Sequence, residues 1–163
     1  MPENELDLVR LASALNAHEV RYILVGGLAV YLHGGESPTL DMDLAFSTSA
    51  ANLERLADAL EELGARPKRW KTQNYRLREA DLATSWLHLE SDAGDIDLIS
   101  KPPGASYETL EAEHVEFKVG DVLLRVASPE SLIAMKRAAG RPRDQRHVEE
   151  LEAILKLQKE VDP

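Results

Sequence analysis

One predicted β-strand of this chain, residues 41–46, carries two aspartates in an otherwise apolar segment. Side chains at positions i and i+2 of a strand point to the same face, so Asp41 and Asp43 should project together while the apolar residues between them face the other way. Two adjacent carboxylates repel each other unless water or a counter-ion compensates them. The pair therefore predicts either a solvated strand end or a site for a hard divalent cation, Mg²⁺ or Mn²⁺.

A second apolar strand, predicted over residues 96–99, contains another carboxylate. Asp97 lies between an isoleucine and a leucine, a position that indicates either a solvent-facing sheet edge or a carboxylate placed for function. Asp95 follows Gly94 and is interpreted as the entrance of this strand.

A glycine pair, Gly26-Gly27, stands between a β-rich segment (21–25) and a short buried helix predicted over 28–33. Glycines at such a junction let backbone amides approach a phosphate closely. A tight strand-to-helix turn explains the same pair without any ligand. The glycines alone leave both interpretations open.

The remaining pattern mixes strands and helices along the whole chain, which predicts one α+β (α/β) domain over residues 1–163. Its core is expected over about 15–127, with C-terminal helices over about 128–160. Apolar periodicity predicts helices at 5–17, 50–63, 128–139 and 143–159, and strands at 75–78 and 84–89 with a hairpin at 114–126.

Composition restricts the function classes. The chain has no cysteine, which excludes disulfides and thiolate chemistry and fits a reducing cytoplasm. No apolar run is long enough to cross a bilayer, so we expect a cytoplasmic protein without a membrane partner. The net charge of -10 argues against broad binding of nucleic acid, although a local basic strip could still guide an RNA terminus.

Such a strip exists in the sequence between residues 68 and 78, where three aromatic residues lie within or near it. It is either a solvated face or a surface that guides a phosphate-bearing acceptor, with an aromatic side chain available for base stacking. Its basic members are Lys68, Arg69, Lys71, Arg76 and Arg78, and the aromatic residues are Trp70, Tyr75 and Trp86.

The order of these features is more specific than any one of them. An apolar strand, Gly-Gly, 13 intervening residues, Asp-x-Asp and a later lone Asp resemble the signature of the nucleotidyltransferase fold shared with polymerase beta. The stretch YILVGGLAVYLHGGESPTLDMDLAF is similar to AbiEii-type and related minimal nucleotidyltransferases, and SPESLIAMKRAAGRPRDQRHVEEL is similar to their helical end. This resemblance implies a mixed β-sheet flanked by helices, with a C-terminal helical segment.

The resemblance also implies a reaction: transfer of a nucleoside monophosphate from a nucleoside triphosphate (NTP) to the hydroxyl of an RNA, a protein or a small molecule. Asp41, Asp43 and Asp97 would be catalytic and hold the metal. The implied nucleotide-binding residues are Gly26, Gly27, Thr39, Lys136, Arg141 and Asp144. The AbiEii-like group includes toxins of toxin–antitoxin pairs, so a cognate antitoxin or regulator is an implied partner.

One difference from the pattern of this family concerns the expected activity. Relatives often have an arginine two residues before the threonine that corresponds to Thr39, whereas this chain has Ser37. The alternatives to an active transferase are a non-catalytic nucleotide-binding or antitoxin/scaffold module that kept the fold, and a hydrolase that uses water as the acceptor.

Overall fold

The computed structural model describes residues 5–36, 38–39, 41–68 and 75–161. The helices are α1 (Leu8–Ala17), α2 (Gly26–Leu32), α3 (Ala50–Glu62), α4 (Tyr107–Ala112), α5 (Pro129–Ala139) and α6 (Gln145–Val161), with 3₁₀ turns at Glu79–Ala83 and Pro142–Asp144. The strands are β1 (Tyr22–Val25), β2 (Asp41–Phe46), β3 (Arg66–Pro67), β4 (Trp86–Ser91), β5 (Gly94–Ile99), β6 (Val115–Val119) and β7 (Val122–Val126).

The strands form one mixed sheet in the order β3-β4-β5-β2-β1-β7-β6. At its centre β2 is antiparallel to β1 and parallel to β5, and β4 lies antiparallel on the far side of β5. The predicted α+β architecture, a mixed sheet flanked by helices with a helical C-terminal segment, is confirmed. This strand order places both aspartate-bearing strands side by side.

Alternation along β2 separates the core from the carboxylates. Met42 and Leu44 are at most 1% exposed and belong to the apolar core, together with Leu56 and Leu60 of α3. Side chains of Asp41 and Asp43 leave β2 on the opposite face, as its two-residue period requires. Burial of Met42 and Leu44 therefore fixes the direction in which the aspartates point.

The helix boundaries follow local capping. Ser49 caps α3 by accepting a hydrogen bond from the Asn52 amide at 3.3 Å, and Ser128 caps α5 by accepting one from the Ser131 amide at 3.1 Å. Gly140 ends α5 with φ +63°, a left-handed conformation that favours glycine. These starts and stops agree with the sequence predictions.

One local prediction was wrong, and one helix was not predicted. Residues 75–78 are not a strand, because the Asp81 carboxylate accepts hydrogen bonds from the Tyr75 hydroxyl (2.8 Å) and the Arg78 amide (2.9 Å) and so initiates the 3₁₀ turn instead. Helix α4 was missed because its six residues are too few to show helical periodicity. It does have a cap signal, since Ser106 accepts from the Thr109 amide at 3.1 Å.

Asn52, 1% exposed, joins the end of the sheet remote from the aspartates to α3. Its side-chain oxygen accepts from the Arg21 amide at 2.7 Å, and its side-chain nitrogen donates to the carbonyls of Arg21 (3.0 Å) and Ser47 (2.7 Å). We expect Asn52→Leu to lower the free energy of unfolding by about 3 kcal/mol, because the Arg21 amide and the Ser47 carbonyl lose this partner and the Arg21 carbonyl keeps only its 3.3 Å hydrogen bond from the Ser47 amide. Urea denaturation measures this, with exposed Arg55→Gln expected within about 0.5 kcal/mol of wild type.

Within the described residues, no helix combines the length and apolarity needed to cross a bilayer.

Candidate functional site

Four aspartates meet where β2 and β5 run in parallel. The strand register sets Asp41 opposite Asp95 and Asp43 opposite Asp97, so all four carboxylates leave the same face of the sheet. Asp95 and Asp97 are each 8% exposed, whereas Asp43 is partly buried and Asp41 is exposed. Asp95 is therefore part of the cluster, not only the entrance of its strand.

The cluster is electrostatically uncompensated at its centre. Burial, with the carboxylates of Asp97 and Asp41 close by, raises the pKa of Asp43 to about 8. Partial desolvation of the Asp41 carboxylate, in a residue that is exposed as a whole, and the neighbouring Asp97 and Asp95 also raise the pKa of Asp41. Ionised aspartates in this arrangement favour a cation among them, since an adjacent positive charge is what restores an ordinary carboxylate pKa.

On the outer side of the cluster, neighbouring side chains compensate part of this negative charge. The Lys68 ammonium lies 2.9 Å from Asp95 Oδ2, and its pKa is raised chiefly by that hydrogen bond. His88 of β4, directly opposite Asp97 in the register, pairs with the Asp97 carboxylate through Nδ1. Sequence reasoning assigned no role to His88, because only the pairing of β4 with β5 brings these two residues together.

The glycine pair makes room for side chains of the site itself. Gly26 has φ +74°, and a Cβ added there would lie 1.9 Å from Asp43 Oδ2. A Cβ on Gly27 would lie 2.6 Å from the methyl carbon of Thr39. The predicted tight turn is present, and the group closest to Gly26 is the Asp43 carboxylate; the approach of a phosphate to these glycines stays a prediction.

A basic wall from α5 and the start of α6 faces the carboxylates. Buried Lys136 lies 3.4 Å from Asp144 Oδ1, and Arg141 donates to Asp144 Oδ2 at 2.7 Å. Burial followed by the charge of Lys136 lowers the pKa of His147, whose buried Nδ1 has no hydrogen-bond partner among the described residues. His147 also lies over the glycine pair, with Cε1 3.9 Å from a Cβ built on Gly27.

Most of these residues, though not Asp95 or Lys68, line one pocket of about 610 Å³. It brings together every site residue that the sequence predicted: Gly26, Gly27, Thr39, Asp41, Asp43, Asp97, Lys136, Arg141 and Asp144. It also contains residues that the sequence did not single out for this site, among them His88, Arg143 and His147, and an apolar part with Trp86, Ile99, Pro103, Leu132, Met135 and Ala139.

The chemistry of the donor set fits a hard divalent cation, because carboxylate oxygens are the ligands that Mg²⁺ and Mn²⁺ prefer. In the described part of the chain, no three His, Asp or Glu side chains are already arranged to coordinate a metal ion. Asp97 is in contact with His88, and Asp95 is paired with Lys68. Metal binding would therefore require these carboxylates to reorient.

Some sequence features lie outside the described residues. They are Ser37, the position at which relatives often have arginine, and Arg69, Trp70 and Lys71 of the basic strip. Of the remaining strip, Lys68 contacts the carboxylate cluster, whereas Arg76 pairs with Asp58 (3.0 Å) and Glu61 (3.2 Å) of α3. The strip is thus not a single basic face in the part that is described.

No protein-family model matches this sequence, and no curated protein matches it. Solved structures do match its fold. The lincosamide antibiotic adenylyltransferase LnuA, in its lincomycin-bound form, has a TM-score of 0.60 at 18% identity over 93% of this chain and 99% of that one. ANT(2'')-Ia in complex with adenylyl-2''-tobramycin has a TM-score of 0.57 at 16% identity over 93% and 87%.

A third match is an antigenic nucleotidyltransferase-like protein from Paracoccidioides brasiliensis, with a TM-score of 0.59 at 15% identity over 93% of this chain and 78% of that one. These matches cover most of each chain at low sequence identity. They establish that this chain has the nucleotidyltransferase fold.

Proposed function

We propose that this protein is a metal-dependent nucleotidyltransferase that moves a nucleoside monophosphate from an NTP to an acceptor hydroxyl. The observation that carries the proposal is the pocket in which the carboxylates of β2 and β5 face Lys136 beside Gly26-Gly27. A triphosphate and its cations need both charges in one place, negative side chains for the metal and positive ones for the phosphates. The shared fold with nucleotidyltransferases supports the same reaction class.

The residues of the pocket have different proposed roles according to their positions. Asp41, Asp43 and Asp97 are the proposed ligands of Mg²⁺ or Mn²⁺, which when bound would neutralise phosphate charge and stabilise the attacking and leaving oxygens. Asp97 is also the proposed acceptor of the proton of the attacking hydroxyl, and the contact of His88 with its carboxylate supports this role. Because phosphoryl transfer demands mainly positioning and charge stabilisation, no covalent nucleophile of the protein is needed.

The nucleotide is assigned to the side of β1 and α5. Backbone amides of Gly26 and Gly27 border the pocket, and Lys136 and Arg141 supply positive charge to the phosphates. Asp144 orients both cations through its 3.4 Å contact to Lys136 and its 2.7 Å hydrogen bond from Arg141. Thr39 closes the site over Gly27.

The proposal is tested by incubating the protein with each α-labelled NTP and Mg²⁺ and measuring pyrophosphate release and label transfer. We expect pyrophosphate release that EDTA abolishes and added Mg²⁺ restores. Asp97→Asn should reduce it by about a hundredfold or more, while exposed Asp121→Asn leaves it unchanged. Nucleotide binding that needs no metal, without any pyrophosphate release, would instead favour a non-catalytic binding module.

Two of the matched proteins act on small molecules or carry one: LnuA is a lincosamide adenylyltransferase, and ANT(2'')-Ia is bound to an adenylylated tobramycin. They support a small-molecule hydroxyl as the acceptor. The alternative acceptor is an RNA or a protein, and the chain would then be an AbiEii-type toxin with a cognate antitoxin or regulator. This alternative predicts growth arrest on expression that Asp43→Asn relieves.

A further inference from the structure

We propose that Trp86 is the platform of an acceptor subsite, and that the acceptor is a small molecule whose hydroxyl is carried by a non-anionic ring such as a sugar. This inference rests on the proposed nucleotidyl transfer and specifies its second substrate. It depends on three features of the pocket: the order of the strands, the apolar surface around Trp86, and the charge on that side.

The strand order separates the two substrates. Crossing the sheet from β1 to β4, the site presents Gly26-Gly27, then the β2 aspartates, then Asp97 on β5, then His88 and Trp86 on β4. The attacking and leaving oxygens are roughly in line at the transferred phosphorus. With the triphosphate beside the glycines, the leaving pyrophosphate departs toward β1, so the acceptor hydroxyl must approach from β4.

The surface on that side is aromatic and apolar. Trp86 is 37% exposed although it lines the pocket, and its register partner on β5 is buried Ile99. Its ring centroid lies 6.4 Å from that of His88, which in turn contacts Asp97. A ring stacked on this indole therefore lies next to the proposed base. An apolar wall from Ile99, Pro103 and Met135 suits the carbon-bearing face of such a ring.

Carboxylates dominate the charge of the described residues on this side, which disfavours a polyanionic acceptor. Asp41 and Asp97 line this side of the pocket, Asp95 lies opposite Asp41 in the register, and the ammonium of Lys68 is paired with Asp95 at 2.9 Å. Among the cations of the other wall, Lys136 and Arg141 are held by Asp144 on the nucleotide side, and Arg143 lies beside them in the chain. An RNA strand needs unpaired Lys and Arg for its phosphates. A neutral or cationic ring does not, and a cation would also be attracted by the indole face.

The test uses the full chain with Mg²⁺, a labelled NTP and a panel of ring hydroxyl compounds: monosaccharides, amino sugars, lincomycin and tobramycin, with a short single-stranded RNA alongside. We expect label on at least one ring compound and none on the RNA. Trp86→Ala should raise the acceptor KM at least tenfold and leave the KM for the NTP within twofold. Trp86→Phe, which keeps an aromatic face, should restore the acceptor KM to within about threefold of wild type.

The matched control is Leu123→Ala, which removes another exposed apolar side chain of a strand outside this pocket and should change neither KM. A second measurement does not require the alanine variant to fold. In Trp70→Phe, Trp86 is the remaining tryptophan, so tryptophan fluorescence reports on Trp86. Titration with the ring compound that accepts label in the assay should change this fluorescence in a saturable manner.

The outcomes separate this inference from the proposed function. Asp43-dependent NTP cleavage with label on RNA, or on no ring compound, overturns the acceptor subsite and leaves nucleotidyl transfer standing. Unchanged acceptor KM in Trp86→Ala, or no fluorescence response, also overturns it. A wild-type protein that neither binds nor cleaves any NTP overturns the proposed function itself.

Discussion

Asp43→Asn is expected to reduce nucleotidyl transfer by about a thousandfold or more, equivalent to about 4 kcal/mol of transition-state stabilisation. Asp43 lies at the centre of the carboxylate cluster, opposite Asp97 in the register and against Gly26. Asparagine keeps the size of the side chain but removes the charge that would bind the cation. Steady-state pyrophosphate release measures the effect.

The same substitution should stabilise the metal-free fold. The pKa of Asp43 rises from its ordinary value of 3.8 to about 8 in the folded protein, so the folded state binds the proton more tightly than the unfolded chain does. The contribution of Asp43 to the free energy of unfolding is complete below pH 3.8, the pKa of this group in the unfolded chain. It falls as the pH rises from 3.8 to about 8. At pH 7 in EDTA, Asp43→Asn should raise the melting temperature by about 3 °C or more.

Magnesium should reverse this difference in melting temperature between the wild-type protein and Asp43→Asn. It should raise the melting temperature of the wild-type protein, because binding to the folded state alone adds stability, and it should have little effect on Asp43→Asn. Asp121→Asn, which changes the net charge equally on an exposed turn, is the control and should behave as wild type in both respects. Equal activity of wild type and Asp43→Asn would contradict the assignment of this site.

Gly26→Ala is expected to lower activity by about a hundredfold and also to destabilise the fold. Its Cβ would lie 1.9 Å from Asp43 Oδ2, so either the backbone or the carboxylate must move by more than an ångström. A displacement of about 1 Å at a reacting centre costs on the order of a hundredfold in rate. The φ of +74° adds the strain that an L side chain meets in the left-handed region, about 1 kcal/mol.

Gly120→Ala separates these two causes. Gly120 has φ +60°, and the nearest atom to an added Cβ is a methyl carbon of Val9 at 3.8 Å. This variant should lose stability comparable to the backbone strain alone while keeping full activity. Thermal denaturation and the transfer assay, run on both variants, measure the two effects. Full activity of a folded Gly26→Ala would show that the contact with Asp43 does not position the site.

Local patterns were sufficient to predict the elements that build the site. Alternation along residues 41–46 predicted the face on which Asp41 and Asp43 lie, and capping residues predicted the starts of α3 and α5. These features depend on neighbours within a few residues, which is why sequence reasoning reached them. It failed at residues 75–78, where hydrogen bonds donated to the Asp81 carboxylate replace strand pairing, and at α4, which is too short to show a period.

Sequence order and the resemblance it carries also determined which residues would share one site: the three predicted aspartates, the glycine pair, Thr39 and the α5–α6 residues all line one pocket. The parallel pairing of β2 with β5 determined contacts between strands that no local sequence pattern contains. That register makes Asp95 a fourth carboxylate of the cluster, and the pairing of β4 sets His88 against Asp97 and Trp86 beside the proposed acceptor path. Contacts between strands distant in sequence depend on the packing of the whole sheet, so only the tertiary structure could decide them.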